Sequence, residues 1–244
     1  MTPLDIEHAT IRTWPARVTE ERDGWFYLAD GGVTGRVNAV FPLDWRGASL
    51  HAAIDDVEAW YAAHHLPPRF KMTDGAIAPD NLREALLERG YTEAYPTLVM
   101  TMPACAAETR ADVDLSDAMP PAFDAALQAM SRDAAEYDER VIIARRAPQP
   151  RCFAIARRDN EVASIGMTVV SEALAGIFLM RTMPHARRQG LARLVLDALA
   201  NRAKALGART LFLQVDADNA PAIALYESAG FATLTRYYFL KKAA

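Results

Sequence analysis

Six consecutive residues, Arg187-Arg188-Gln189-Gly190-Leu191-Ala192, have the types and spacing of an oxyanion grip. The start of a helix exposes unpaired backbone N–H groups and a partial positive charge, so it can hold a phosphate. Gly190 has no side chain to keep a ligand away from the backbone, and Ala192 keeps the first turn thin. Arg187 and Arg188 add fixed positive charge of a kind that suits phosphate oxygens. Together these residues make a cradle for a pyrophosphate. A solvated basic helix start has the same composition, so context has to decide. Before the cradle, an extended run ends at Met183-Pro184; after it come Asn219-Ala220-Pro221-Ala222, Leu225-Tyr226-Glu227 and Gly230-Phe231.

Positioning these residues takes strands and helices whose pattern is legible. Residues 152–156 and 163–170 are apolar and rich in β-branched types, with a polar turn at 157–161, which predicts a hairpin. Residues 176–183 extend another strand, and Pro184 blocks its continuation. After Gly190, Leu191, Leu194, Val195, Ala198, Leu199 and Leu206 recur on one helical face, and Gly207 stands where a C-terminal cap belongs. A strand at 210–215, a helix capped by Asn219 that ends near Gly230, and a strand at 233–240 complete this half. The N-terminal half follows the same order. Strands at 25–28 and 34–41 flank a turn at 29–33, and Pro42 ends the second. A helix at 50–65, a short strand at 69–72, a helix at 81–89 closing at Gly90-Tyr91, and a strand at 97–102 follow. Phe41-Pro42 matches Met183-Pro184, Gly90-Tyr91 matches Gly230-Phe231, and the two Pro-to-Gly separations are nearly equal. The pattern predicts an α/β fold, an α+β mixed sheet built from two tandem units. Their expected bounds are 1–107 and 108–244, joined in the Ala-rich, charged stretch 104–111. The competing reading is that two unrelated αβ segments align this well.

Over residues 152–240 the ordered motifs resemble the GNAT superfamily of acetyl-coenzyme A-dependent N-acyltransferases. The resemblance implies that backbone amides from Arg187, Arg188, Gln189, Gly190, Leu191 and Ala192 bind the cofactor pyrophosphate. It implies that Met180, Arg181 and Thr182 pair through their backbones with the pantetheine arm, beside a splayed neighbouring strand. Asn219 and Ala222 would lie along that arm, and Tyr226 would be the catalytic residue facing the leaving thiol. The first copy departs from this pattern. Trp45, Ala48 and Leu50 stand where Arg187, Gly190 and Ala192 would be, and Leu86 stands opposite Tyr226. That copy reads as degenerate and non-catalytic, packed against the second half so as to wall the acceptor site. Trp14, Trp25, Trp45 and Trp60 all lie in it, as core residues or as pocket lining.

The implied reaction moves an acetyl or short acyl group from coenzyme A to a primary amine. A lysine-like amine with a pKa of ~10.4 is about 0.04% neutral at pH 7, against about 10% for an α-amine near 8. The site must therefore select the neutral amine, depress its pKa or supply a base. A free backbone N–H around Met180, Arg181 and Thr182 is expected to stabilise the oxyanion formed on attack. An unperturbed tyrosine near 10 is a weaker acid than a thiol near ~8.5, so Tyr226 is expected at least to hydrogen-bond the departing sulfur. No general base stands out. Glu172, Asp216 and Glu227 lie near the expected cleft, Glu136 and Tyr137 lie in a segment that shapes the acceptor pocket, and a water chain could also serve.

Composition bounds the rest. The chain has 244 residues, a formal charge of −4 and 51% apolar residues, enough to bury a core. Mild acidity gives no reason to expect nucleic acid or an anionic membrane as partner. No apolar run approaches the ~20 residues of a membrane helix, and the first residues lack the pattern of a secretory leader. Cys105 and Cys152 are far apart and outside any C-x-x-C, which argues against a disulfide framework or a cysteine zinc site and fits a reducing cytoplasm. His8, His51, His64, His65 and His185 form no metal set, and no G-x-S-x-G turn supports a serine hydrolase. The expected acceptor is a small-molecule or peptide amine. Two other readings stay open: a non-catalytic acyl-coenzyme A sensor on the same fold, and a protein-interaction module.

Overall fold

The computed structural model describes residues 1–105 and 113–242. All but the first two positions of the expected join at 104–111 lie outside the described residues. In chain order the strands are β1 (Val18–Arg22), β2 (Trp25–Ala29), β3 (Val40–Phe41), β4 (Arg69–Thr73), β5 (Thr92–Pro103) and β6 (Val113–Ser116). They continue with β7 (Arg151–Arg158), β8 (Glu161–Ser171), β9 (Leu174–Thr182), β10 (Thr210–Asp216) and β11 (Ala232–Lys241). The helices are α1 (Pro3–Thr13), α2 (Leu50–Ala63), α3 (Leu82–Glu88), α4 (Pro121–Ala129), α5 (Ala134–Arg146), α6 (Leu191–Ala205) and α7 (Ala220–Ser228).

All the strands join one mixed sheet in the order β1-β2-β3-β4-β11-β5-β10-β9-β8-β7-β6. The final strands of the two halves are exchanged within it. β5 runs antiparallel to β10, and β11 lies between β4 and β5, antiparallel to both. Both final strands are reached by the same turn. Gly90 and Gly230 have φ of +82° and +99°, a left-handed conformation open to glycine. The next residue in each case reaches back to the helix, Tyr91 N–H to Leu86 O at 3.1 Å and Phe231 N–H to Tyr226 O at 3.0 Å.

Strand side chains alternate between the two faces of the sheet. On one face, Val99, Ile165, Met167, Val169 and Phe212 pack with Ile6 and Ala9 of α1, Phe123 and Leu127 of α4, and Val141 and Ile143 of α5. On the other face, Met100, Leu211 and Leu213 pack under Val195, Leu196 and Leu199 of α6, while Phe70 and Met72 pack under α2 and α3. The core that carries α1 runs through both halves of the chain and ties them together.

One predicted strand is different. Residues 34–41 form a 3₁₀ turn, Gly35–Val37, followed by the two-residue β3. The reason is a buried carboxylate. Glu139 of α5 accepts hydrogen bonds from the Val33 and Thr34 N–H groups and from Asn38 Nδ2, so these donors do not enter a strand ladder. Asn38 Oδ1 in turn accepts from the Asp30 and Gly32 N–H groups.

Candidate active site

β9 and β10 are parallel neighbours, but they pair only from Leu174, Ala175 and Gly176 to Thr210, Leu211 and Phe212. Beyond Gly176 and Phe212 they diverge and leave a wedge in the sheet. A bulge on β9 sets the geometry at its mouth. Ile165 pairs with Arg181 and Met167 with Phe178, so Leu179 and Met180 together face the single residue Gly166. Leu179 takes φ +54°, a left-handed conformation costing a leucine about 1–2 kcal/mol. Gly166 is required beneath it, since a Cβ there would lie 2.4 Å from the Met180 sulfur. The bulge takes the Leu179–Met180 backbone out of the β8 ladder where β9 borders the wedge.

A groove of about 1000 Å³ runs from the wedge to the start of α6. It is lined by Met180, Arg181, Thr182, Arg187, Arg188, Gly190, Leu191, Ala192, Asn219, Ala222 and Tyr226. The structure thus brings together every expected cofactor residue except Gln189, whose Nε2 turns back to donate to His185 O at 3.1 Å. Gly190 is the N-cap of α6, with φ +79° and no side chain closing the helix end. The first intrahelical bond is Leu194 N–H to Gly190 O at 3.1 Å, so the N–H groups of Leu191, Ala192 and Arg193 have no helical acceptor. Arg188, with φ +62°, and Gly190 are both left-handed and bend the backbone sharply ahead of the helix. A Cβ on Gly190 would meet nothing within 4 Å, so the cradle faces open space. Among the described residues, neither Arg187 nor Arg188 has a carboxylate partner.

The matching helix start in the first half is closed. Ser49 caps α2 by accepting from Ala52 N–H. The Trp45 ring occupies the turn, 2.3 Å from where a Cβ on Gly47 would be, and packs on Trp25 with centroids 4.7 Å apart. Leu86, opposite Tyr226 in the motif, is fully buried.

On the other side of the wedge lies a second cavity of about 370 Å³. It shares Met180, Arg181, Asn219, Ala222 and Tyr226 with the groove, so the two spaces meet at these residues. Its wall also includes Trp14, Thr34 and Arg36 from the first half and Arg132, Glu136, Arg140, Leu179, Gln214 and Asp216 from the second. Tyr226 is 8% exposed and its hydroxyl has no hydrogen bond among the described residues. Burial pushes its phenol above the ordinary tyrosine value, with the guanidiniums of Arg181 and Arg36 pulling the other way. Burial also lowers Arg181 from its usual value, opposed by the Glu136 carboxylate 3.7 Å away.

The carboxylates singled out from sequence now separate. Glu136 lines the second cavity but is committed: it accepts from Arg132 N–H at 2.6 Å and pairs with Arg140 at 2.7 Å. Asp216 lines the cavity, and its carboxylate has no partner among the described residues. Glu172 is exposed and pairs with Arg12, Tyr137 donates to Asp124 at 2.7 Å, and Glu227 is exposed on α7; none of these lines either cavity. The expectation of a free N–H around Met180, Arg181 and Thr182 shifts slightly, because the bulge is Leu179–Met180 while Arg181 and Thr182 pair with β8. Trp14, read from sequence as core or pocket lining, lines the cavity, whereas Leu179, Thr34, Arg36, Arg132 and Arg140 were not legible as site residues. They reach the cavity through tertiary placement, and no local motif marks them. Among the described residues no His, Cys, Asp and Glu group could hold a metal ion.

A parallel pair that splays beside an uncapped glycine helix start, with a tyrosine-bearing helix across the opening, defines the GNAT N-acetyltransferase fold. A family model described as "Probable histone acetyltransferase Rv0428c C-terminal" matches residues 4–240, and the chain belongs to that family. Over 83 residues it is 41% identical to a ribosomal protein bS18-alanine N-acetyltransferase of Salmonella typhimurium, a match covering 33% of this chain and 56% of that protein. The chain thus spans little more than half the length of the curated relatives it matches in this way. It is 24% identical over 243 residues to the uncharacterized N-acetyltransferase YobR of Bacillus subtilis, with 96% of each chain covered. Its fold matches a GCN5-related N-acetyltransferase from Kribbella flavida with a TM-score of 0.76, at 17% identity and over 99% of this chain and 96% of that one.

Proposed function

We propose that the chain transfers an acetyl or short acyl group from coenzyme A to a primary amine. The observation that carries this reading is the uncapped start of α6 at Gly190, which opens into a groove that meets a second cavity at Tyr226. The residues present fit acetyl-coenzyme A. The N–H groups of Leu191, Ala192 and Arg193, with Arg187 and Arg188, would hold its pyrophosphate. The splayed edge at Met180, Arg181 and Thr182, with Asn219 and Ala222, would hold its amide-bearing arm. Bound there, the group supplies an activated thioester.

The chain's own groups then have separable tasks. The Leu179–Met180 bulge offers backbone N–H to negative charge developing on a carbonyl oxygen. Tyr226 is protonated at neutral pH, and its hydroxyl is free to donate to a departing sulfur. Its raised pKa makes full proton transfer harder, so the hydrogen bond is the contribution this geometry favours. Asp216, at the mouth and without a partner, is placed to pass the amine proton to solvent. The larger neutral fraction of α-amines favours an α-amine acceptor.

The tandem reading belongs to the same proposal. Residues 1–107 form a degenerate, non-catalytic copy and residues 108–244 the catalytic one. The exchanged strands, the equivalent turns at Gly90 and Gly230, and the closed helix start at Ser49 support it. Both cysteines are free, which supports a cytoplasmic setting, and among the described residues no helix is long and apolar enough to cross a membrane.

Calorimetry and thiol release test the reading. Coenzyme A should bind, and Gly190→Asp should weaken it at least ten-fold. A carboxylate would then face the phosphates from a left-handed backbone position. Amine-dependent thiol release completes the case. Binding without turnover across a broad amine panel would assign a sensor instead, and no binding would overturn the assignment.

A further inference from the structure

We infer that the acceptor carries an anionic group of its own, a carboxylate or a phosphate, which Arg36 holds in the smaller cavity. This rests on the acyl-transfer reading above and specifies the acceptor class. Arg36 reaches the cavity from the 3₁₀ turn Gly35–Val37 in the first half of the chain, opposite the cofactor groove.

The four guanidiniums that line the cavity, of Arg36, Arg132, Arg140 and Arg181, outnumber its two carboxylates, Glu136 and Asp216. Arg140 is paired with Glu136 at 2.7 Å, and Arg181 shares the same carboxylate at 3.7 Å. Arg132 also lines the cavity, and its guanidinium pairs through Nε with Asp133 at 3.0 Å. Arg36 has no ion pair and no side-chain hydrogen bond among the described residues, although it is half-buried. Thr34, two residues earlier on the same turn, lines the same cavity, and its buried Oγ1 has no hydrogen-bond partner among the described residues. Buried polar atoms without partners are rare, and a guanidinium and an idle hydroxyl on the wall of one cavity form a donor set without its acceptor. A carboxylate or phosphate satisfies both, since the planar guanidinium matches two oxygens at once.

The donors are also held in place. The turn that carries them is pinned by the buried Glu139, which accepts from the Val33 and Thr34 N–H groups. Gly35 packs so closely on Phe239 that a Cβ would lie 2.6 Å from its ring. The field of Arg36 is felt at the reacting end, where it opposes the effect of burial on the Tyr226 phenol. An anion anchored at Arg36 thus leaves its amine in the space shared with Tyr226 and Asp216. At about 370 Å³ the cavity is at the small end of ligand pockets, which span roughly 300–1,000 Å³, so it suits a small amino-carboxylate or amino-phosphate.

The test is a thiol-release panel of matched small amines: an amino acid and its carboxamide, β-alanine and propylamine, O-phosphoethanolamine and ethanolamine, plus a peptide with a neutral N-terminal segment. The anionic member of the preferred pair should have a kcat/KM about ten- to hundred-fold above its neutral partner, the range of a hydrogen bond to a charged group. Which pair shows the larger ratio separates carboxylate from phosphate. Arg36→Gln should collapse that ratio toward one, mainly through KM, and Arg36→Lys should restore part of it. Thr34→Val exchanges a buried hydroxyl for a methyl and should lower the ratio severalfold in its own right. Coenzyme A binding is measured on every variant. If coenzyme A binds and amines turn over without preference for an anionic acceptor, or the peptide outpaces every small amine, this inference falls and acyl transfer stands. If coenzyme A does not bind the unaltered protein, both fall.

Discussion

Tyr226→Phe tests the chemistry at the point where the two cavities meet. The side chain is buried and its hydroxyl is bonded to nothing among the described residues, so removing the hydroxyl leaves no orphaned partner and should leave the fold intact. On the present mechanism its one task is to hydrogen-bond a sulfur that gains charge as it departs. A hydrogen bond to a charged group contributes about 1.5–3 kcal/mol, which sets a fall in kcat of roughly ten- to 150-fold. The bond strengthens only on the way to the transition state, so KM for both substrates should stay nearly level. Burial raises the phenol, so the wild-type hydroxyl remains protonated throughout the neutral range. The pH profiles of the two enzymes should therefore have the same shape and differ by a constant factor. Steady-state thiol release from pH 6 to 9, with calorimetry of coenzyme A on both proteins, measures each quantity. Unchanged kcat would remove Tyr226 from the mechanism. Loss of an ionisation near pH 7–8 in the variant would show instead that the phenol titrates as a base.

Three further outcomes follow from the fold. Lys71 and Glu7 form a fully buried ion pair at 2.7 Å, with the ammonium 4.1 Å from the Tyr237 ring centre. Glu7→Gln strands that charge at a cost of about 3–5 kcal/mol, so the melting temperature should drop by roughly 6–20 °C, and adding Lys71→Met should recover much of it; a drop below about 2 °C would contradict this. Burial raises Tyr27, Tyr61, Tyr91 and Tyr237 above the ordinary tyrosine value of 10.0, so their contribution is intact below that pH and is lost as pH rises past it. Denaturant titrations should show stability declining steeply above pH ~10, and a flat profile from pH 8 to 11 would exclude the effect. Because β5 and β11 are exchanged, residues 1–107 and 108–244 made as separate chains should each melt without cooperativity and regain it on mixing; a cooperative, coenzyme A-binding 108–244 fragment alone would refute this.

The parts legible in sequence were those whose signal is local. The α6 face announced itself through Leu191, Val195 and Leu199, its start through Gly190, and the α7 cap through Asn219, because three- and four-residue spacing and cap chemistry are properties of neighbours in the chain. The groove residues came with them, since most sit within a few positions of those marks. The helices α1, α4 and α5 escaped notice. The apolar face of α1 is broken by the buried Glu7 and Thr10 and that of α5 by Glu136 and Glu139, and the partners of Glu7 and Glu139 lie far away in sequence. The predicted strand at 34–41 failed for the same reason. Its β-like composition was correct, but Glu139, about a hundred positions away, captured its N–H groups. Arg36 was illegible as a site residue because its meaning depends on facing Tyr226, across most of the chain's length.

The strand exchange explains why the acceptor cavity can exist where it does. A wedge between parallel strands would weaken a sheet that ended there, because β10 would lose part of one neighbour without secure pairing on the other side. Here β10 pairs along its whole length with β5, and β5 with β11, so the sheet continues past the wedge through strands that belong to both halves. The opening is held from both sides, and the unbonded stretch of β9 stays available. The same exchange brings the first half over the wedge. Its own helix start is closed by Ser49 and filled by Trp45, so it offers no second open helix start. What it offers instead is a rigid turn carrying Thr34 and Arg36, pinned by Glu139 from the second half. On this account the two halves divide the work by charge: the second cradles the cofactor's phosphates on backbone N–H groups, and the first supplies the guanidinium that selects what enters from the other side.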